Sequence, residues 1–162
     1  VLQTDLVRHE SVRSLELASH PLGWIVASNS IYNRDYADLA ELAQERIITY
    51  SKNSRPHQDL LALMQANGVL APRLNCVNSV SAITRLLRDG FGIGVLPPVL
   101  VVEELARGEL TLLNIDQRPP DLQVVVSWRV GVEWVEEIVT LCQQVLAGYA
   151  QKVGDGYVVL TP

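Results

Sequence analysis

The chain has 162 residues, 48% of them apolar and 19% charged, enough for one domain or two small lobes with a buried core, and that composition excludes intrinsic disorder. Its formal net charge of −5, from 13 basic and 18 acidic residues, excludes the basic face needed to hold many phosphates, so this chain is not expected to bind nucleic acid by itself. The uncharged run of residues 90–102 is broken by Pro97-Pro98 and falls short of the about 20 residues of a membrane span.

Residues 22–27 (LGWIVA) read as a buried strand and 28–31 as a loop. Residues 36–44 (YADLAELAQ) read as a helix served by Asp35 or Asp38 at its start, and 46–50 (RIITY) as a β-branched strand. A polar loop follows, then a helix over 58–67 with Pro56 in its first turn, Ser54 or Arg55 as cap, and Gly68 as the left-handed stop. Residues 72–77 alternate as a half-buried strand does. Asn78-Ser79 opens a helix over 80–89 that puts Ile83, Leu86 and Leu87 inward and stops at Gly90. Residues 92–96 (GIGVL) read as a buried strand, 99–106 as a helix after Pro97-Pro98, and 110–115 as extended chain. After a turn at 118–121 come a strand at 122–128 and the longest helix, 133–149. Its apolar positions Trp134, Ile138, Leu141, Cys142, Val145 and Tyr149 fall at helical spacing. A turn at 154–156 precedes a short apolar tail, 157–160. This alternation predicts an α/β fold, with a mostly parallel sheet flanked by helices.

Little of this supports catalysis. There is no GxSxG elbow, and Asp121, Glu133, Glu136 and Glu137 read as solvated faces, so no catalytic residue is assigned. The glycines of 89–94 (DGFGIG) leave a helix and enter a strand, the reverse of a dinucleotide fingerprint, and read as a helix cap and close strand packing. His9, His20 and His57 are isolated from one another and from the cysteines, so neither metal nor cofactor is expected. Cys76 and Cys142 read as buried free thiols in a reducing compartment, and a cytoplasmic location follows.

Two polar loops remain as ligand-binding candidates: Ser51, Lys52, Asn53 and Ser54 (with Arg55 beyond), and Asn78 with Ser79. Each joins the end of a strand to the start of a helix, where free N–H groups and the helix dipole favour an anion. Ordinary helix capping accounts for the same residue types.

Residues 46–113, in particular the pieces Val77-Asn78-Ser79, 88–97 (RDGFGIGVLP) and 104–110 (ELARGEL), resemble the effector-binding domain of LysR-type transcriptional regulators. Residues 19–28 and Ser127-Trp128-Arg129 resemble the flanking strands, and the resemblance covers 17–147. It implies a type 2 periplasmic-binding-protein-like fold in which a small effector closes two lobes about a hinge. It further implies that 1–16 are a remnant of the first lobe or linker, with 4–8 the last trace of a first-lobe strand, 17–121 the second lobe, 122–150 a return strand and helix, and 151–162 a tail, so that the first lobe is largely missing. The 51–54 loop and the Asn78-Ser79 cap match the family's effector contacts, and 55–68 with 72–77 match elements that pair with another subunit. DNA would be bound through a winged helix-turn-helix that has no counterpart in this chain, and no membrane is involved.

The expected function is therefore an effector-sensing, dimerising module of a LysR-type regulator, a non-enzyme. A transporter's solute-binding protein is the alternative, although no secretory signal is visible, and an enzyme of the same shape would need an acid or base such as Asp59 in its cleft. Val1 in place of Met, with a mean hydropathy of +0.17, suits a piece of a longer protein with apolar surface meant for a partner. The helix 133–149 should expose Trp134, Ile138 and Val145 unless something covers them, so a homo-oligomer is expected.

Overall fold

The computed structural model describes residues 1–4, 6–132, 134–154 and 156–161. Asp5, Glu133, Asp155 and Pro162 lie outside the described residues, and with them part of the expected strand at 4–8, the first residue of the 133–149 helix and the centre of the 154–156 turn. The chain runs β1 (Leu2–Gln3), β2 (Val12–His20), β3 (Gly23–Ala27), α1 (Leu39–Leu42), β4 (Ile47–Thr49), α2 (Arg55–Ala66), β5 (Leu74–Cys76) and α3 (Val80–Arg88). It continues through β6 (Ile93–Leu96), a 3-10 helix (Pro98–Val101), α4 (Val102–Ala106), β7 (Leu110–Leu112), β8 (Leu122–Arg129), α5 (Val135–Val153) and β9 (Val159–Leu160). Two compact units result, Leu22–Pro120 and Val1–Pro21 with Asp121–Pro162.

The Leu22–Pro120 unit carries a five-stranded sheet in the order β5-β4-β6-β3-β7. β4 runs parallel to β5 and β6, because α2 and α3 supply the crossovers that parallel neighbours need, whereas β3 is antiparallel to β6 and β7. The expected mostly parallel sheet is thus corrected to a mixed one. Ile25, Ala27, Ile48, Ile83, Leu87, Leu96, Val101 and Leu110 form a core cluster, and Trp24, also buried, satisfies its indole by donating to Gln117 O at 2.9 Å.

Local chemistry sets the helix ends. Ser54 caps α2, with Pro56 in the first turn, and Asn67 N–H closes on the Leu63 and Met64 carbonyls. α1 is shorter than the expected 36–44 helix. Asp38 accepts from Glu41 N at 2.8 Å while Glu41 Oε2 accepts from Ala37 N at 2.8 Å, so the reciprocal cap starts the helix only after Asp38. That N–H, and then the Arg34 guanidinium, hold the Glu41 carboxyl below the usual range. The expected 99–106 helix begins as a 3-10 turn at Pro98–Val101 and becomes α-helical at Val102. The glycine run is a packing device. Gly90 takes φ +70 at the end of α3, and a Cβ on Gly92 would stand 2.4 Å from Arg46 O.

The other unit is an antiparallel sheet, β1-β8-β2-β9, covered by α5. β2, the long strand of this sheet, replaces the strand expected at 4–8, and the β-structure there sits instead at Leu2–Gln3. A register shift between Glu16 and Ala18 breaks the alternation of β2, which hides it from a period-two reading. α5 packs Val135 and Val139 against Leu17 and Val126, with Cys142 and Leu146 partly buried alongside. Trp134, Ile138, Leu141, Val145 and Tyr149 stay exposed, Trp134 at 64% and Val145 at 63%. The expected exposure of Trp134, Ile138 and Val145 is thus found. No helix among the described residues is long and apolar enough to cross a membrane.

Candidate functional site

β4 and β5 pair in parallel from Ile47↔Leu74 to Thr49↔Cys76, and Val77 N–H donates to Thr49 O at 2.9 Å beyond the last ladder pair. Two parallel strands that end level with each other release their following loops side by side. The loop after β4 holds Ser51, Lys52, Asn53 and Ser54, and the loop after β5 holds Asn78 and Ser79, so both predicted loops leave one sheet edge. This is the edge of an open α/β sheet at which ligands bind.

Within the first loop, Ser54 N–H donates to Ser51 O at 3.0 Å, and Asn53 occupies the left-handed region with φ 74. Asparagine tolerates that conformation better than most residues, which explains its place in so tight a turn. Gln58 Nε2 donates to Asn53 O at 3.4 Å. Ser54 and Ser79 act as helix caps, accepting from His57 N and Ala82 N at 3.4 Å each, and Ser79 Oγ lies 3.1 Å from Ser81 Oγ. The capping interpretation thus holds for both serines, and a ligand would share their first turns.

The charges divide unequally. Arg55 donates through Nε to both carboxylate oxygens of Asp59 at 2.9 Å, which neutralises the acid proposed for an enzyme reading and occupies the second cation of the loop. Lys52 and Asn78 are exposed, and Lys52 makes no ion pair with any described residue.

Two polar groups at this edge escaped the sequence reading. Thr49 is 1% exposed, and neither its Oγ1 nor the Tyr50 hydroxyl finds a partner among the described residues. Burial pushes the Tyr50 phenol up to about 12, so it remains a hydrogen-bond donor at any ordinary pH. The signal lay in the run IITY, whose two hydroxyls fall at the strand's end, but a strand pattern says nothing of whether a hydroxyl is paired.

The cysteine expectation needs correction too: Cys76 ends the edge strand β5 and is exposed, and Cys142 is half-buried; both are free. Among the described residues no group of three or more His, Cys, Asp or Glu could hold a metal. Concavities exist away from the loops. One of about 420 Å³ is lined by Ser28, Asn29, Arg85, Arg88, Asp89 and Glu109. Its arginines are matched by acids, Arg85 with Asp89 at 2.9 Å and Arg88 with Glu109 at 3.0 Å, so it offers an anion little.

One mixed and one antiparallel sheet, each flanked by helices, are the architecture of a type 2 periplasmic-binding-protein-like fold. The chain belongs to the LysR substrate binding domain family, which matches residues 1–147, and is an effector-binding domain of that family of transcriptional regulators. The match begins at Val1, ahead of the 17–147 span of the resemblance.

Solved structures agree in fold. The regulatory domain of MetR, a LysR family regulator from N. meningitidis, superposes with a TM-score of 0.74 at 14% identity, covering 99% of this chain and 76% of that one. The regulatory domain of CcmR from Synechocystis, in complex with 2-PG, gives 0.71 at 20% identity, covering 89% and 71%. The effector binding domain of QuiR, in complex with shikimate, gives 0.68 at 18% identity, also covering 89% and 71%. No curated protein sequence matches the chain.

Proposed function

We propose that this chain is the effector sensor of a cytoplasmic LysR-type regulator and that it binds a small anionic metabolite at Ser51, Lys52, Asn53, Ser54, Asn78 and Ser79. The observation that carries this reading is the level ending of parallel β4 and β5, which puts two capped helix starts and the exposed Lys52 at one edge. Backbone N–H groups there suit a carboxylate, and Lys52 adds charge. The unpartnered hydroxyls of Thr49 and Tyr50 support a polar ligand, since an unpaired buried hydroxyl costs about 1–3 kcal/mol that a bound acceptor can recover. The shikimate bound by QuiR is a carboxylate, which supports the same class.

In this reading Leu22–Pro120 supplies most of the second lobe, and occupancy shifts the lobe-closure equilibrium that the family resemblance implies. A ligand moves such an equilibrium only through different affinity for its two states. The module works as a homo-oligomer and reaches DNA through a separate domain. The transporter reading is not favoured, because the matched family is that of the regulators.

A thermal-shift screen of small carboxylates against neutral amides of the same shape tests this. A true effector at about 100 times its Kd stabilises the chain by about 2.7 kcal/mol. Lys52→Gln should weaken binding about tenfold while leaving the unliganded melting temperature unchanged. Stabilisation by the neutral amides but not by the acids would overturn the anionic assignment.

A further inference from the structure

α5 carries a second stripe that its own sheet does not use. Val135, Val139, Cys142 and Leu146 pack with Leu17 and Val126, while Trp134, Ile138, Leu141, Val145, Gly148 and Lys152 are exposed. Those six positions are spaced four and three residues apart in turn, the spacing of a helix that lies along another helix. Gly148 is the unusual member. Glycine is unfavourable inside a helix, and a Cβ there would meet nothing within 4 Å, so the packing of this chain does not ask for it. In the middle of an apolar stripe, a missing side chain makes room for a bulky one from a facing helix.

We infer that this stripe packs against the same stripe of a second copy, the two helices running antiparallel about a two-fold axis between Leu141 and Val145. The pairing rests on the homo-oligomer proposed above and names the face that forms it. It uses none of the residues of 55–68 and 72–77, which lie in the other unit. In this register Leu141 meets the partner's Val145, and Ile138 fills the space over the partner's Gly148. Trp134 meets the partner's Lys152, a cation against an aromatic face. The acidic first turn, Glu136 and Glu137, comes beside the partner's last turn with its Lys152, and the helix dipoles oppose. Parallel helices would instead set glycine on glycine, leaving a void, and bring the acidic turns together.

The test uses the whole chain with Cys76→Ser and Cys142→Ala. Gln144→Cys, beside the axis, should give a disulfide dimer on mild oxidation, read on a non-reducing gel. Glu137→Cys alone should not link, because its two copies stand about 20 Å apart along the axis. Mixed with Gln151→Cys, it should. Gly148→Leu should weaken association in light scattering at least about tenfold, by overpacking the interface, without lowering the melting temperature of the monomer. The pairing is overturned if Q144C stays unlinked at a concentration where the chain associates, if E137C links to itself as readily, or if G148L associates as tightly as the unaltered chain. In those three cases the homo-oligomer stands and only its face is reassigned, whereas a monomer at every concentration removes both. If the thiol variants do not fold by circular dichroism, G148L decides.

Discussion

Tyr50 illustrates how one side chain couples fold to solution conditions. Its phenol binds a proton more tightly in the folded chain, at about 12, than at the ordinary value of 10.0. Its contribution is therefore complete below pH 10 and is lost as the pH rises through 10 to 12. Two units correspond to about 2–3 kcal/mol. Denaturant titrations between pH 9 and 11.5 should show stability falling more steeply in the unaltered chain than in Tyr50→Phe. Equal slopes would mean that the hydroxyl is solvated. At this scale the glycine reading was legible: a run that leaves a helix and enters a strand cannot be a phosphate loop, and the 2.4 Å approach at Gly92 gives the reason for the missing side chain. The orphan hydroxyls of Thr49 and Tyr50 were not legible, because each depends on a neighbour brought in by the fold.

Among the elements, caps and breakers did most to make boundaries readable. Ser54, Pro56 and Ser79 sit where the sequence placed them because their chemistry is local. α5 shows where such reading ends. It carries two apolar stripes, and periodicity alone cannot say which one faces a sheet. The structure buries Val139 at 7% exposure and leaves Val145 at 63%. Val139→Ala should cost roughly 1–3 kcal/mol in urea unfolding, as expected for a truncated core side chain. Val145→Ala, in dilute monomeric protein, should change stability by less than about 0.5 kcal/mol. The reverse ranking would show that the helix turns its other side to β2 and β8.

For the molecule as a whole, the exposed stripe of Trp134, Ile138, Leu141, Val145 and Tyr149 is too apolar to face water without consequence. It supports the proposed homo-oligomer. Light scattering from micromolar to millimolar concentration should show association, reversed by Val145→Glu. A monomer across that range would remove the proposal without affecting the proposed effector loops, whose residues lie in Leu22–Pro120.

The sequence by itself determined the α/β class, most strands and helices of Leu22–Pro120, the two capping loops and the family. These rest on signals that act within a few residues: a hydroxyl before a helix, a proline in its first turn, a glycine after it, and β-branched runs between. Tertiary structure decided the rest. Pairing made one sheet mixed and the other antiparallel, and a bulge hid β2. The level ends of β4 and β5 brought the two candidate loops to one edge, and packing chose which face of α5 meets a sheet. Those outcomes depend on partners distant in the chain, whose proximity no local pattern encodes.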